Sequence, residues 1–341
     1  MLTSLPSNRY STPTLPLTVV STMALPLKER QTTEKTTRKS ASSPLKFVPL
    51  TINAIPSLRP YMEAATSRTC DYSIGGLVMW AGYFDYSYAI YRDTLFIKGV
   101  TEDDITRPAF SFPVGALPVE ESVRLLKEYC RDNEGLPLVF SAVPEEAVET
   151  LRRLGAVNVT ELEDWGDYLY RASDLATLSG KKLGKKRNHV NRFMIEHPDY
   201  VFEPLNADNL QAVKDFYRAS HLDDSKPALA DIEREQVFEV LDNLDRYPFE
   251  GAVLSTPDLG VVAFTLGEVI GDTLYTHIEK MDHTVNGAGE TINKLFAGMM
   301  TARYPFLDYI NREEDTGDPG LRHAKESYHP AMILRKYNVT L

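Results

Sequence analysis

From residue 46 onward, apolar and polar positions follow two rhythms, one near 3.6 residues and one near two, and their succession predicts a mixed α/β fold. A short apolar run at 46–50 reads as a strand and 56–67 as a helix. Residues 72–91 hold Tyr72, Trp80, Tyr83, Phe84, Tyr86, Tyr88 and Tyr91. We read them as strands with aromatic faces turned into a core, the alternative being a base-stacking platform. Strands at 94–100 and 109–114 flank an acidic turn at Glu102, Asp103 and Asp104. Over 119–131 helical spacing puts Val123, Leu126 and Cys130 on one side. The run 136–142 is a strand, and Pro144-Glu145-Glu146 opens a helix, because proline and acids suit a helix start. A strand at 168–170 closes this half.

The second half opens on a helix over 181–196, ending before His197-Pro198 because a residue preceding proline avoids helical geometry. A strand at 200–204 follows, then a helix from Asn206 and Asp208 to about residue 221, and another over about 229–244. Three strands, 251–256, 260–269 and 273–280, are joined by tight turns at Pro257-Asp258 and Gly271-Asp272. Asn286-Gly287-Ala288-Gly289 leads into a helix over 290–303, then come a strand (306–310), a helix (320–327) and a last strand (332–337). That order resembles the GNAT acyltransferase core, and the first half repeats a looser version of it. The expected architecture is therefore two tandem GNAT-like acyltransferase domains over 46–172 and 173–341, each a mixed central sheet flanked by helices.

Residues 1–45 join neither rhythm. Residues 1–44 contain 16 Ser/Thr and five Pro, the composition of a disordered tail, and Met23 offers an alternative start. The tail carries six Lys/Arg against two acids. Setting it aside leaves 31 basic and 46 acidic residues, a net −15. A body so acidic does not coat nucleic acid indiscriminately and needs a local basic site to hold a polyanion. No run reaches the roughly 18 apolar residues of a membrane helix, and the stretch 15–27 lacks the basic start of a signal peptide. Cys70 and Cys130 stand in no metal or redox spacing, and the seven histidines in no structural-zinc spacing. We expect a cytoplasmic protein with free thiols and no bound metal.

Four features can carry chemistry. The turn Asn286, Gly287, Gly289 precedes a helix start, where free N–H groups suit an anion such as a coenzyme A pyrophosphate, although Thr284 stands where such turns usually begin with Gln or Arg. The run 181–192 holds six Lys/Arg and no acid: Lys181, Lys185, Asn188 and Arg192 share one helical face, with Lys182, Lys186 and His189 beside them and Arg187 in the same run. It reads either as a solvated face or as the seat of a phosphate-bearing partner. His277 and Glu279 fall on one side of a strand, Ile278 and Lys280 on the other, making a proton-transfer pair or a salt-bridged strand end. Finally, the strand ending at Ile310 runs into Asn311-Arg312-Glu313-Glu314-Asp315, followed by Arg322, Lys325 and Tyr328. Carboxylates holding an amine while Arg322 and Lys325 hold an anion is one arrangement, and an internal ion-pair network is the other.

These segments together, with Leu178-Ser179-Gly180 before the basic run and Ser327-Tyr328-His329-Pro330 after the last helix, resemble the family named for the C-terminal domain of phosphatidylglycerol lysyltransferase. The resemblance spans nearly all of 46–341 and implies tandem GNAT folds that move an aminoacyl group from aminoacyl-tRNA to a lipid, peptide or small-molecule acceptor. It implies catalytic roles for Glu279, Asn311, Arg312, Glu313 and Asp315. Lys181, Lys185, Lys186, Arg187, Asn188, His277, Arg322, Lys325 and Tyr328 become substrate contacts, with peripheral membrane contact for a lipid acceptor. No cofactor is then needed. An acyl-CoA-dependent N-acyltransferase using Asn286, Gly287 and Gly289 is the alternative enzyme, and a non-catalytic binding module the alternative of another kind.

Overall fold

The structure, a computed structural model, describes residues 43–219 and 227–341. The tail expected over 1–45 lies outside the described residues up to residue 42, as do Met23 and the end of the helix expected near residue 221. Strands in chain order are β1 (Val48–Pro49), β2 (Ser87–Ile90), β3 (Thr94–Val100), β4 (Pro108–Phe110), β5 (Val114–Gly115), β6 (Val139–Pro144), β7 (Asn158–Glu161) and β8 (Asp167–Arg171). They continue as β9 (Val201–Pro204), β10 (Glu250–Thr256), β11 (Gly260–Ile270), β12 (Thr273–Met281), β13 (Tyr309–Asn311), β14 (Met332–Leu334) and β15 (Lys336–Thr340). Helices are α1 (Ile55–Ala64), α2 (Ile74–Met79), α3 (Val119–Tyr129), α4 (Glu145–Arg153) and α5 (Ala172–Thr177). Then come α6 (Gly184–Glu196), α7 (Leu210–Ala219), α8 (Pro227–Asp242), α9 (Ala288–Arg303) and α10 (Pro319–Glu326). Among the described residues no helix is long and apolar enough to cross a membrane.

The expected meander forms: β10, β11 and β12 are antiparallel neighbours. The two mixed sheets do not follow the chain halves. One runs β1-β2-β3-β4-β6-β15-β7, with β5 on β3, and the other runs β14-β8-β13-β12-β11-β10-β9. The division expected near residue 172 thus has each sheet borrowing a strand across it. β8 lies in the second sheet, and β15 crosses back into the first between β6 and β7. The single last strand expected at 332–337 is two strands, parted at Arg335, because β14 pairs with β8 and β15 with β6 and β7.

Three apolar clusters hold these layers. Phe96, Phe110, Leu126, Phe140, Leu151 and Val339 pack the first sheet against α3 and α4. Leu175, Phe193, Leu254, Leu274, Ile292 and Phe296 pack the second sheet against α5, α6 and α9. The third cluster joins Leu58 of α1, Leu77 of α2 and Ile97 of the first sheet to Tyr217, Val240, Phe264 and Ile278. The described residues accordingly form one compact unit.

The aromatic stretch 72–91 differs from expectation. Only Ser87–Ile90 is a strand, and Ile74–Met79 is a buried helix. Its two glycines set how closely that helix packs. A Cβ at Gly75 would overlap the Phe249 ring, and one at Gly76 would lie 2.5 Å from Ser73 Oγ and 3.0 Å from His277 Cε1. Helix α2 is therefore set close against the second sheet, with its backbone beside the most polar part of β12.

Candidate functional site

β12 and β13 are parallel neighbours for only three rungs, Thr273–Tyr309, Leu274–Ile310 and Tyr275–Asn311. Just past them β12 carries a bulge: Gly267 of β11 pairs with Thr276 and Leu266 with Ile278, leaving His277 as the extra residue. A bulge shifts alternation by one, so the expectation that His277 and Glu279 share a face fails. The His277 ring lies against Phe249 and Tyr275 on the α2 side. Glu279 instead reaches Asn293 of α9 and Arg312.

The segment after β13 fans out one residue at a time. Asn311 is buried and holds the fan: its Nδ2 donates to Arg68 O and Asp167 Oδ2, both 2.7 Å, and its Oδ1 accepts from Glu313 N at 2.6 Å. Glu313 takes up a left-handed backbone, φ 57°, and Thr316 does so at 49°. Arg312 turns toward α9, where its Nη2 donates to Glu279 Oε1 at 2.6 Å. Its guanidinium carbon stands 4.8 Å from the centre of the Tyr328 ring and 5.9 Å from that of Tyr170. Burial opposes the Arg312 charge, but Glu279 more than offsets it, so the group stays cationic. Glu313 turns the other way, to His277 Nδ1 at 2.7 Å, while His277 Nε2 meets Glu268 Oε1 at 3.1 Å. Burial would depress the imidazole, yet the two carboxylates win and its pKa is raised to about 10. At neutral pH His277 is an imidazolium with both nitrogens engaged, which gives it no lone pair for base catalysis.

Asp315 receives two hydrogen bonds from Arg322 (2.8 and 2.7 Å) and one from Tyr168 Oη at 2.6 Å. Burial would raise its pKa, but these bonds hold it below the usual carboxylate range. Lys325 is buried, donates to the carbonyls of Arg312 and Glu314, and has its pKa lowered by that burial. Through these contacts Arg322 and Lys325 fasten α10 to the fan. Tyr328 forms the floor under Arg312, with Lys186 Nζ 4.2 Å from its ring centre.

Glu314 points to a second cluster. Lys336, 1% exposed, sits 2.7 Å from Asp167, 3.0 Å from Asp71 and 3.7 Å from Glu314, with Cys70 Sγ at 3.2 Å. Among the described residues, Cys70, Asp167 and Glu314 are the group whose spacing suits a metal ion. The Lys336 ammonium already supplies a positive charge there. Burial opposes that charge, and Asp167 and Asp71 restore it and more. Burial and the carboxylates of Asp167 and Glu314 push the Cys70 thiol well up, away from the thiolate a soft metal takes.

The basic run begins as a turn, and α6 starts at Gly184 rather than 181. Lys181, Lys182, Lys185 and Asn188 are exposed. Arg187 is tied to the carbonyls of Leu178 and Gly180, at 2.6 and 3.2 Å, and Lys186 reaches Glu290 of α9 at 3.3 Å. The first turn of α6 has no acid, so its lysines crowd the positive end of the helix dipole. Of the glycine turn, Asn286 is exposed, but Gly287 is buried at φ 80°, and a Cβ there would overlap the His189 carbonyl. Close packing of α9 on α6 accounts for that glycine.

Sequence reading missed Asn293, Glu268, Asp167, Asp71 and Lys336. A polar residue on the apolar face of helix 290–303, and a lysine inside the last strand, were the available signals.

Comparison with known proteins places this geometry. The family model described as "Phosphatidylglycerol lysyltransferase, C-terminal" matches residues 63–340. A crystal structure of a conserved protein of unknown function from Bacteroides thetaiotaomicron is 31% identical, with a TM-score of 0.77 over 87% of this chain and 99% of that one. L-PGS from Bacillus licheniformis, 16% identical, shares the fold at a TM-score of 0.54 over 84% of this chain and 91% of its own. An uncharacterised protein of Mycoplasmoides gallisepticum is 24% identical over 174 residues, 51% of this chain, and the chain spans about half (55%) of that relative's length.

Proposed function

This chain belongs to the phosphatidylglycerol lysyltransferase C-terminal family, and from that premise we propose that it is an aminoacyl transferase, taking its aminoacyl group from a charged tRNA and passing it to a lipid, peptide or small-molecule nucleophile. The observation that carries the reading is the mostly buried Glu279–Arg312 pair, set where β12 and β13 part and floored by Tyr328. An aminoacyl ester is already activated, so transfer asks for positioning and for a donor to the developing oxyanion. Glu279 offers the carboxylate that holds an ammonium. Arg312 directs a second, buried nitrogen, Nη1, that no protein acceptor takes among the described residues.

In the reaction the acceptor's oxygen or nitrogen attacks the ester carbonyl. The bond from that carbonyl to the tRNA ribose oxygen breaks, and the acceptor's proton passes to the ribose oxygen. Arg312 Nη1 faces the carbonyl oxygen as its charge grows. The exposed Lys181, Lys182 and Lys185, at a helix start that already favours anions, suit the tRNA phosphates.

The test mixes the full chain with tRNA pools charged with labelled amino acids and follows label into lipid, peptide and amine fractions. We expect transfer from at least one charged pool, and tRNA binding that weakens steeply between about 50 and 200 mM salt. No transfer from any pool, with no salt-dependent binding at micromolar protein, would sink the proposal.

A further inference from the structure

Asn293, missed by the sequence reading, is 4% exposed and stands on the face of α9 that meets the sheet. Its Nδ2 donates to Glu279 Oε2 at 3.1 Å. That bond sets the orientation of the amide, because only its nitrogen can donate to a carboxylate. The amide oxygen therefore points away from Glu279, and Oδ1 is buried without a hydrogen-bond partner among the described residues. On the other carboxylate oxygen Arg312 repeats the pattern: Nη2 binds Glu279 Oε1, while Nη1 is buried and unpartnered. One carboxylate that keeps a little exposure is thus flanked by a buried unmet acceptor and a buried unmet donor, each costly to leave so.

A ligand that satisfies all three needs a cationic nitrogen with several N–H bonds, for Glu279 and Asn293 Oδ1, and a nearby carbonyl oxygen for Arg312 Nη1. An α-ammonium next to an acyl carbonyl has that form. We propose that Asn293 is a specificity-determining residue that reads the free α-ammonium of the donor, restricting the enzyme to aminoacyl groups whose α-nitrogen is unblocked. This rests on the aminoacyl-transferase reading. An Nα-acylated donor brings a neutral nitrogen with one N–H, too few for Glu279 and Asn293 together. Its added carbonyl oxygen would confront Asn293 Oδ1, acceptor against acceptor.

Binding is separable from transfer, so the test uses both. Amino acid amides, which keep the α-ammonium and carbonyl but cannot transfer, are titrated calorimetrically into the full chain beside their Nα-acetyl derivatives. We expect at least one amide to bind and its acetylated form to bind about tenfold or more weakly, the scale of hydrogen bonds to a charged group. In Asn293→Ala that preference should shrink towards unity, and in Asn293→Gln, which keeps the amide donor and acceptor, it should return in part. With charged tRNA as donor, Asn293→Ala should raise KM more than it lowers kcat. Equal binding of amide and acetylated amide, or an unchanged preference in a folded Asn293→Ala, overturns the inference, as does a failure of every amide to bind. Selective amide binding without transfer from any tRNA would instead leave the subsite standing and defeat the tRNA donor.

Discussion

Arg312 lies between two tyrosine rings and one carboxylate, where charge and shape can be separated. Arg312→Lys keeps the charge but loses the planar fork, so one nitrogen can no longer serve Glu279 while another faces the carbonyl. We predict a fall in kcat of about 100-fold, the usual cost of removing one oxyanion donor, with thermal stability little changed. A single-turnover assay beside a melting curve checks this, and an unaltered kcat would show that Arg312 is only structural. At this scale the sequence was informative about identity and silent about direction. The resemblance made Glu279 and Arg312 catalytic and Tyr328 a substrate contact, and the three lie together. The sequence could not tell that Lys325 turns inward and that Arg322 pairs with Asp315, because that depends on the fan of backbone after Asn311 and its left-handed turns at Glu313 and Thr316.

Among elements, the bulge in β12 has the largest effect. It sends His277 towards α2, where the imidazolium bridges Glu268 and Glu313. A group whose folded pKa is raised to about 10, above an ordinary value of 6.5, adds stability that is fully present below about pH 6.5. That contribution is lost as pH rises towards 10. Urea unfolding from pH 6 to 10 should therefore show declining stability in the wild type and a flatter trace in His277→Gln. Equal slopes would mean that another group carries the dependence. The meander, the helix after the glycine turn and the basic helix were all legible from periodicity. The bulge was not, since Thr276-His277-Ile278-Glu279 looks like regular alternation until β11 supplies its register.

Across the whole molecule, the tandem order of elements was readable while the exchange of strands was not. Nothing local marks 332–337 as two strands bound for different sheets, because the break at Arg335 is set by partners far away in sequence. The same exchange buries Lys336 among Asp71, Asp167 and Glu314. Replacing it by Met should cost about 3–5 kcal/mol, since removing one partner strands the remaining buried charges. Denaturant titration measures this, and a loss below about 1 kcal/mol would mean that the carboxylates simply take up protons.

The position of β15 also bears on how the protein comes to exist in a cell. A ribosome releases the chain from its first residue to its last, and most domains assemble as soon as they emerge. Here the slot between β6 and β7 is filled by residues 336–340, which follow every strand of the second sheet in the chain. The first sheet must wait, split and with two open edges, while the whole second sheet is synthesised. Such edges invite pairing with other chains until β15 emerges to fill the gap.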